Sequence, residues 1–317
     1  MKHRMLWTFV MSLTILFTAG CGKDGARGPA GPQGEQGLPG ESFSWADVVE
    51  GAGINQSVYA IAIQIGGTNY LLGTAFAAHY ENALWTNGHI AVALVNYMTQ
   101  LQSLNPLPVA IRANCTVGGA DTYILTRYSV HPGYTGETNS PDVALLAIEE
   151  TLPGQLTIAS VAEAENLKVG LPVATSGFPG EIEAMNTATP IPTFKDGTIS
   201  ALRPYNPDSL LPCPTNNHFI QHNLDLSGGT SGSPVFDTIG AVIGINNSGT
   251  ERVVIDQNTG QPTRIPSGNI GFAIRIDEVW TMIDAMTPAA KRTGTGTRLT
   301  HAATHPLDDR SGIGVMQ

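Results

Sequence analysis

Positive charge is scarce in this 317-residue chain: 16 Lys and Arg stand against 26 Asp and Glu, for a net charge of −10. Phosphate binding needs a basic patch, so the deficit argues against nucleic acid as a partner. Charged residues of both signs make up only 13%, while apolar residues reach 42%. That is too little charge for a disordered chain, and enough apolar surface for a substantial core in one or two domains. Cysteine is rarer still, with Cys21, Cys115 and Cys213 the only three. There is no paired CxxC metal motif and no phosphate-binding loop. What is abundant is Gly (36) and Pro (21), which favours many short strands and turns over long helices.

The N-terminus carries Lys2 and Arg4 and then an apolar run from Met5 to Phe17. The run is too short and wrongly flanked for a stable membrane span, and reads as an export signal over residues 1–20. Its end, Phe17-Thr18-Ala19-Gly20-Cys21, resembles a bacterial lipoprotein box, with Thr18 where Leu is usual. The resemblance implies cleavage before Cys21 and lipidation of that residue. The chain would then sit in the bacterial cell envelope, held to a membrane and facing the periplasm or exterior. An ordinary cleaved signal, with Cys21 incidental, is the alternative. Glycine then recurs at every third position from Gly22 to Gly40, with Pro29, Pro32 and Pro39 between. This is the collagen signature, because only glycine fits near a three-chain axis. Residues 21–42 therefore form either an extended spacer of at most roughly 65 Å or a stalk that joins three copies into a homotrimer.

The most informative stretch lies far downstream, at Gly229-Thr230-Ser231-Gly232-Ser233-Pro234. Glycines flanking one serine suit a tight turn, which would push Ser231 Oγ into a cleft. The Gly229 and Ser231 N–H groups could then meet a developing oxyanion. Alone, such a stretch is more often an ordinary loop. A serine hydroxyl also needs a base, and the base an orienting group. His89, in Thr86-Asn87-Gly88-His89, and Asp142, ahead of the apolar Val143-Ala144-Leu145-Leu146, supply candidates. The order is His, Asp, Ser.

Around these residues the pattern is that of strands. Residues 58–65, 70–76, 84–86, 108–115, 122–130, 171–176, 198–202, 218–221, 234–236, 241–246 and 271–276 read as strands. Helical spacing covers 90–101 and 277–286, with Asp277 as N-cap of the second, and residues 45–53 form a short amphipathic opening segment. Two histidine pairs are four apart, His218/His222 and His301/His305. The first lies in strand-like sequence, where that spacing does not put both rings on one helical face, so neither pair is expected to hold a metal.

Jointly, Gly73-Thr74-Ala75-Phe76, Thr86 to His89, Asp142 to Leu146, Gly229 to Pro234, Ile243 to Asn246 and Asn269 to Ile274 resemble the trypsin/chymotrypsin superfamily of serine peptidases. The bacterial HtrA-like and glutamyl-endopeptidase-like branches are the nearest. The resemblance implies an all-β fold of two six-stranded antiparallel barrels with a C-terminal helix. The peptidase domain would span residues 43–287, with barrels at about 43–155 and 156–287. A flexible tail, 288–317, follows and is too short for a PDZ domain. By the same resemblance, His89, Asp142 and Ser231 form a catalytic triad, Gly229 and Ser231 an oxyanion hole, and no cofactor is needed.

Two departures stand out: Thr230 replaces the usual Asp or Asn, and no Ile-Val-Gly-Gly start exists for zymogen activation. Asp225 lies where trypsin-type enzymes select Lys or Arg, and Asn246 where Glu-selective relatives carry histidine, so both are candidates for a specificity pocket. Cys115 and Cys213 could form a disulfide between the barrels outside the cytosol. The expected activity is a secreted, membrane-anchored serine endopeptidase acting on proteins or peptides. The alternatives are a non-catalytic adhesion or scaffold protein, and an esterase.

Overall fold

The computed structural model describes residues 43–114, 118–137, 139–180, 186–205, 217–255, 262–286 and 313–315. The signal, the collagen-like triplets, Cys21, Cys115, Cys213 and the His301/His305 pair lie outside the described residues. The chain divides into two units, Met1–Phe43 and Ser44–Gln317. Only the second is described beyond Phe43. No described helix is long and apolar enough to cross a membrane.

After a short helix, α1 (Trp45–Gly51), come β1 (Val58–Ile65), β2 (Thr68–Ala77), β3 (Ala83–Thr86), α2 (Gly88–Gln100), β4 (Leu107–Asn114), β5 (Gly119–Ile124), β6 (Arg127–Val130) and β7 (Ala144–Ala147). The second half runs α3 (Val161–Glu165), β8 (Pro172–Gly177), β9 (Thr193–Arg203), β10 (Phe219–His222), β11 (Pro234–Phe236), β12 (Val242–Ile255), β13 (Pro262–Arg275), α4 (Asp277–Met286) and β14 (Ile313–Val315). The architecture is all-β with few helices, as expected. Strands β10-β13-β12-β11-β8-β9 close into a six-stranded barrel. The first half forms an eight-stranded sheet, ordered β14-β6-β7-β3-β2-β1-β4-β5, whose two end strands are not bonded to each other. Its closure is thus less complete than the six-strand barrel expected there.

Period-two alternation explains how β1 to β3 serve two cores at once. Val58, Ala60, Phe76 and Trp85 face the core shared with the second barrel, including Val235, Phe236 and Ile245. Their neighbours Tyr59, Ile61, Ala75 and Leu84 face the other way, onto Ile90, Ala91 and Leu94 of α2. Strands buried on both faces read as unbroken apolar runs, which is the character of Val58–Ile63. The shared core fixes the two halves against each other, and so fixes the site between them.

Two local expectations are revised, and two elements are added. Residues 122–130 are two strands, because the chain changes partner from β4 to β7 at Leu125 and Thr126, which donate to Pro108 O and Ala147 O at 3.0 and 2.9 Å. Asp277 is the first residue of α4 and not its cap, since its carboxylate is taken by Arg275 Nε and Nη2, both at 2.7 Å. Helix α3 was legible but overlooked: Ser160 and Glu163 form a reciprocal capping box ahead of it. The segment expected as a loose tail contains β14, which pairs with Arg127–Ser129 on the edge strand β6.

Candidate active site

His89 is the second residue of α2 and sits just past the end of β3. Asp142 precedes β7, the antiparallel neighbour of β3, so strand pairing alone brings the two side by side. The ring nitrogen Nδ1 of His89 lies 2.6 Å from Asp142 Oδ2, and the His89 backbone N–H donates to Oδ1 at 2.8 Å. One carboxylate thus caps the first turn of α2 and grips the ring beside it. The helix N-terminus favours that negative charge. An ionised carboxylate only accepts, so Nδ1 carries the proton and Nε2 is left as an acceptor. Asp142 is almost fully buried, whereas the His89 side chain is 38% exposed.

Three residues not singled out from the sequence hold this pair. Asn87, fully buried, donates from Nδ2 to Asp142 O at 2.9 Å. Tyr134 packs near enough that burial, and next the Asp142 charge, push its hydroxyl up to about 12. Gly88 lets both approach, since a Cβ there would meet Asp142 Oδ1 at 3.0 Å and Tyr134 Cδ1 at 3.1 Å. Asn87 and Gly88 lie in the Thr86-Asn87-Gly88-His89 run, where nothing separates a structural Asn from a decorative one, and Tyr134 lies in the polar loop before Asp142 with no signal of its own.

The loop bearing Ser231 is held at nearly every carbonyl. Gly180 N–H donates to Gly228 O (2.6 Å) and Thr74 N–H to Ser231 O (2.8 Å). Thr74 Oγ1 donates to Gly229 O (2.8 Å), and Ser233 Oγ to Thr230 O (2.5 Å). Gly229 and Gly232 have φ of 88° and 86°, in the left-handed region that favours glycine. A side chain at Gly232 would also strike Thr74 O, so the loop lies directly on β2. Among the described residues, the Gly229 and Ser231 N–H groups make no hydrogen bond. Ser231 Oγ donates to Asn247 O at 3.1 Å. No hydrogen bond joins it to His89. The loop is nonetheless beside α2: a Cβ on Gly73 would lie 3.2 Å from Ser231 O and 3.1 Å from Ile90 Cγ1.

The trypsin-like peptidase domain family matches residues 73–245, more than half of the chain. The chain belongs to that family. It is similar to a protein of Halomonas elongata described as a "probable periplasmic serine endoprotease DegP-like", at 27% identity over 176 residues. That match covers 56% of this chain but only 29% of the relative's length. Among solved structures, Deg5 aligns with 20% identity and a TM-score of 0.48, over 76% of this chain and 92% of its own. The HtrA-type protease AlgW with a decapeptide aligns with 21% identity and a TM-score of 0.49, over 76% and 67%.

In this trypsin-like peptidase the two residues expected to line a specificity pocket lie elsewhere in character. The Asp225 side chain is 66% exposed and its carboxylate is paired with Lys195 Nζ at 3.0 Å. A solvated, neutralised carboxylate has little left with which to select a basic side chain. Asn246 is fully buried and donates from Nδ2 to Thr175 Oγ1 (2.7 Å) and Ser233 Oγ (2.9 Å), facing the underside of the Ser231 loop. His218 and His222 have different surroundings although four-residue spacing along a strand would put both on one face. His218 precedes β10, and the pairing of β10 with β9 shifts register between Gln221 and His222. His218 Nδ1 faces Glu278 Oε1 at 2.8 Å, while His222 is sealed inside the barrel. Glu278 also lies 3.4 Å from His131 Nε2, at the head of the loop leading to Asp142. Among the described residues no cluster of His, Cys, Asp or Glu suits a metal ion.

Proposed function

We propose that this chain is an exported serine endopeptidase acting on proteins or peptides. In this reading Ser231 Oγ attacks the scissile carbonyl while His89 Nε2 takes its proton. His89 then returns that proton to the leaving amine, and water hydrolyses the acyl-enzyme by the same route. Asp142 holds the ring in the tautomer that leaves Nε2 free and stabilises the imidazolium. The Gly229 and Ser231 N–H groups receive the oxyanion. The observation that carries the reading is a carboxylate-oriented imidazole at the head of α2 together with a serine loop whose Gly229 and Ser231 N–H groups make no hydrogen bond among the described residues while the carbonyls around them are bound.

The trypsin-like family and the DegP-like, periplasmic description of a relative support an envelope location. The N-terminal residues extend this to an export signal, a lipid on Cys21, and a Gly-x-y stalk serving as spacer or trimeriser. A second reading, a non-catalytic adhesion or scaffold protein, is favoured by one detail: Ser231 Oγ donates to Asn247 O and not to His89. For catalysis, rotation about χ1 must exchange that bond, a change that substrate binding commonly completes. A serine-directed fluorophosphonate probe separates the two. Labelling that disappears in Ser231→Ala supports the enzyme, and folded wild type that stays unlabelled supports the scaffold. Casein digestion then separates peptidase from esterase.

A further inference from the structure

A trans peptide unit points its C=O and the following N–H in opposite directions. Whatever holds the Thr230 carbonyl therefore aims the Ser231 N–H, and the chain devotes a buried hydroxyl to this. Ser233 Oγ, fully buried, lies 2.5 Å from Thr230 O. Of the acceptors within reach, that carbonyl is much nearer than Thr175 Oγ1 at 3.2 Å, so the proton goes to it. Asn246 Nδ2, which can only donate, spends its two hydrogens on Thr175 Oγ1 and Ser233 Oγ at 2.7 and 2.9 Å. Thr175 in turn donates to Pro234 O at 2.8 Å and approaches Ser233 Oγ at 3.2 Å. With the Thr175 hydrogen committed to Pro234 O, Ser233 Oγ receives one hydrogen bond from beneath, from Asn246, and sends its single hydrogen upward to the Thr230–Ser231 peptide. The backbone closes the same unit: Gly232 N–H donates to Asn246 O (2.8 Å) and Asn246 N–H to Ser233 O (2.9 Å).

We propose that Ser233, polarised by Asn246, is a positioning residue whose hydroxyl helps fix the Thr230–Ser231 peptide with its N–H toward the cleft. Without its hydroxyl, Thr230 O keeps only the longer bond from the Ser233 backbone N–H (3.1 Å), and that peptide turns over more readily to present a carbonyl where an oxyanion must sit. This rests on the reading of Ser231 as nucleophile and of its N–H as an oxyanion donor. It also assigns a role to Asn246, whose place beneath the loop and not in a substrate pocket then has a purpose. The residues sit on three separate segments, β8, the Ser231 loop and β12, so no local sequence pattern announces the relay.

The test is Ser233→Ala in the full chain, with Asn246→Leu as a second variant of similar volume that leaves the hydroxyl but removes its donor. Each is acylated with a cinnamoyl ester carrying a 13C carbonyl. Infrared difference spectra then report whether that carbonyl is hydrogen-bonded, and steady-state rates are measured on a peptide amide. Losing an oxyanion donor outright typically costs roughly 100- to 1000-fold, so misaiming one should lower kcat by about 10- to 100-fold with KM within about 3-fold. Ser233→Ala should add a carbonyl band at higher frequency, from an acyl group outside the hole, and Asn246→Leu should do so to a smaller extent. If Ser233→Ala does not fold, Asn246→Leu decides alone. Normal acylation of wild type beside folded variants with one unshifted band and unchanged kcat overturns this proposal by itself. Wild type that is never acylated overturns the peptidase reading and this proposal with it.

Discussion

Acid should destabilise this protein through one histidine more than any other described group. His222 is fully buried within the second barrel, and neither ring nitrogen makes a hydrogen bond of ordinary geometry. Burial lowers its pKa to about 4 from 6.5, and the nearby Asn246 amide offsets only part of the effect. Below pH 6.5 the unfolded chain binds a proton at this ring that the folded chain refuses, so stability falls as pH falls. The loss continues until pH about 4, where the folded ring titrates too. Each pH unit in that window costs about 1.4 kcal/mol, so the interval from 6.5 to about 4 amounts to roughly 3 kcal/mol. For a domain of this kind that is a large fraction of the whole, since total stabilities run about 5–15 kcal/mol. Urea unfolding of wild type and His222→Leu at pH 7, 6, 5 and 4 isolates the term. The stability of the variant relative to wild type should rise by about 3 kcal/mol between pH 7 and pH 4. Two curves that stay parallel from pH 7 to pH 4 would refute the claim that this ring is held neutral by burial.

Three further outcomes can be checked directly. Asn87→Ala removes the donor to Asp142 O and leaves that buried carbonyl unsatisfied; stability should drop by about 1–3 kcal/mol in urea titrations, with activity falling alongside. Asp225→Ala should change the ratio of kcat/KM for Arg and Ala peptides by less than about 3-fold, because the carboxylate is exposed and paired with Lys195 and the gain from such surface pairs is about 0–1 kcal/mol. A change above 10-fold would restore the pocket role read from sequence. Glu278→Gln should lower thermal stability, since the buried carboxylate faces His131, His218 and the Tyr205 hydroxyl at 3.4, 2.8 and 3.1 Å. Those partners span both halves of the molecule, so limited proteolysis should find the 131–140 loop more readily cut in the variant.

Much of this protein is determined by its sequence alone. Alternation sets the faces of β1 to β3, and the bounds of β1, β11 and α4 coincide with their apolar patterns because those segments satisfy local and global demands together. The glycines of the Ser231 loop are legible for the same reason: the left-handed φ of Gly229 and Gly232 strongly favours glycine. Other features were decided only when the chain folded. Asn246 and Asp225 have the composition of pocket residues, and only burial and partners distinguish a loop support from a solvated ion pair. Thr74, Asn87 and Ser233 are small polar residues in unremarkable surroundings. Each acquires its role from a carbonyl 55 or more positions away, or from an amide presented by another strand. Periodicity records which side of an element faces inward; it cannot record which unpaired group will be waiting there, and for hydrogen-bonded positioning that second fact is the one that matters.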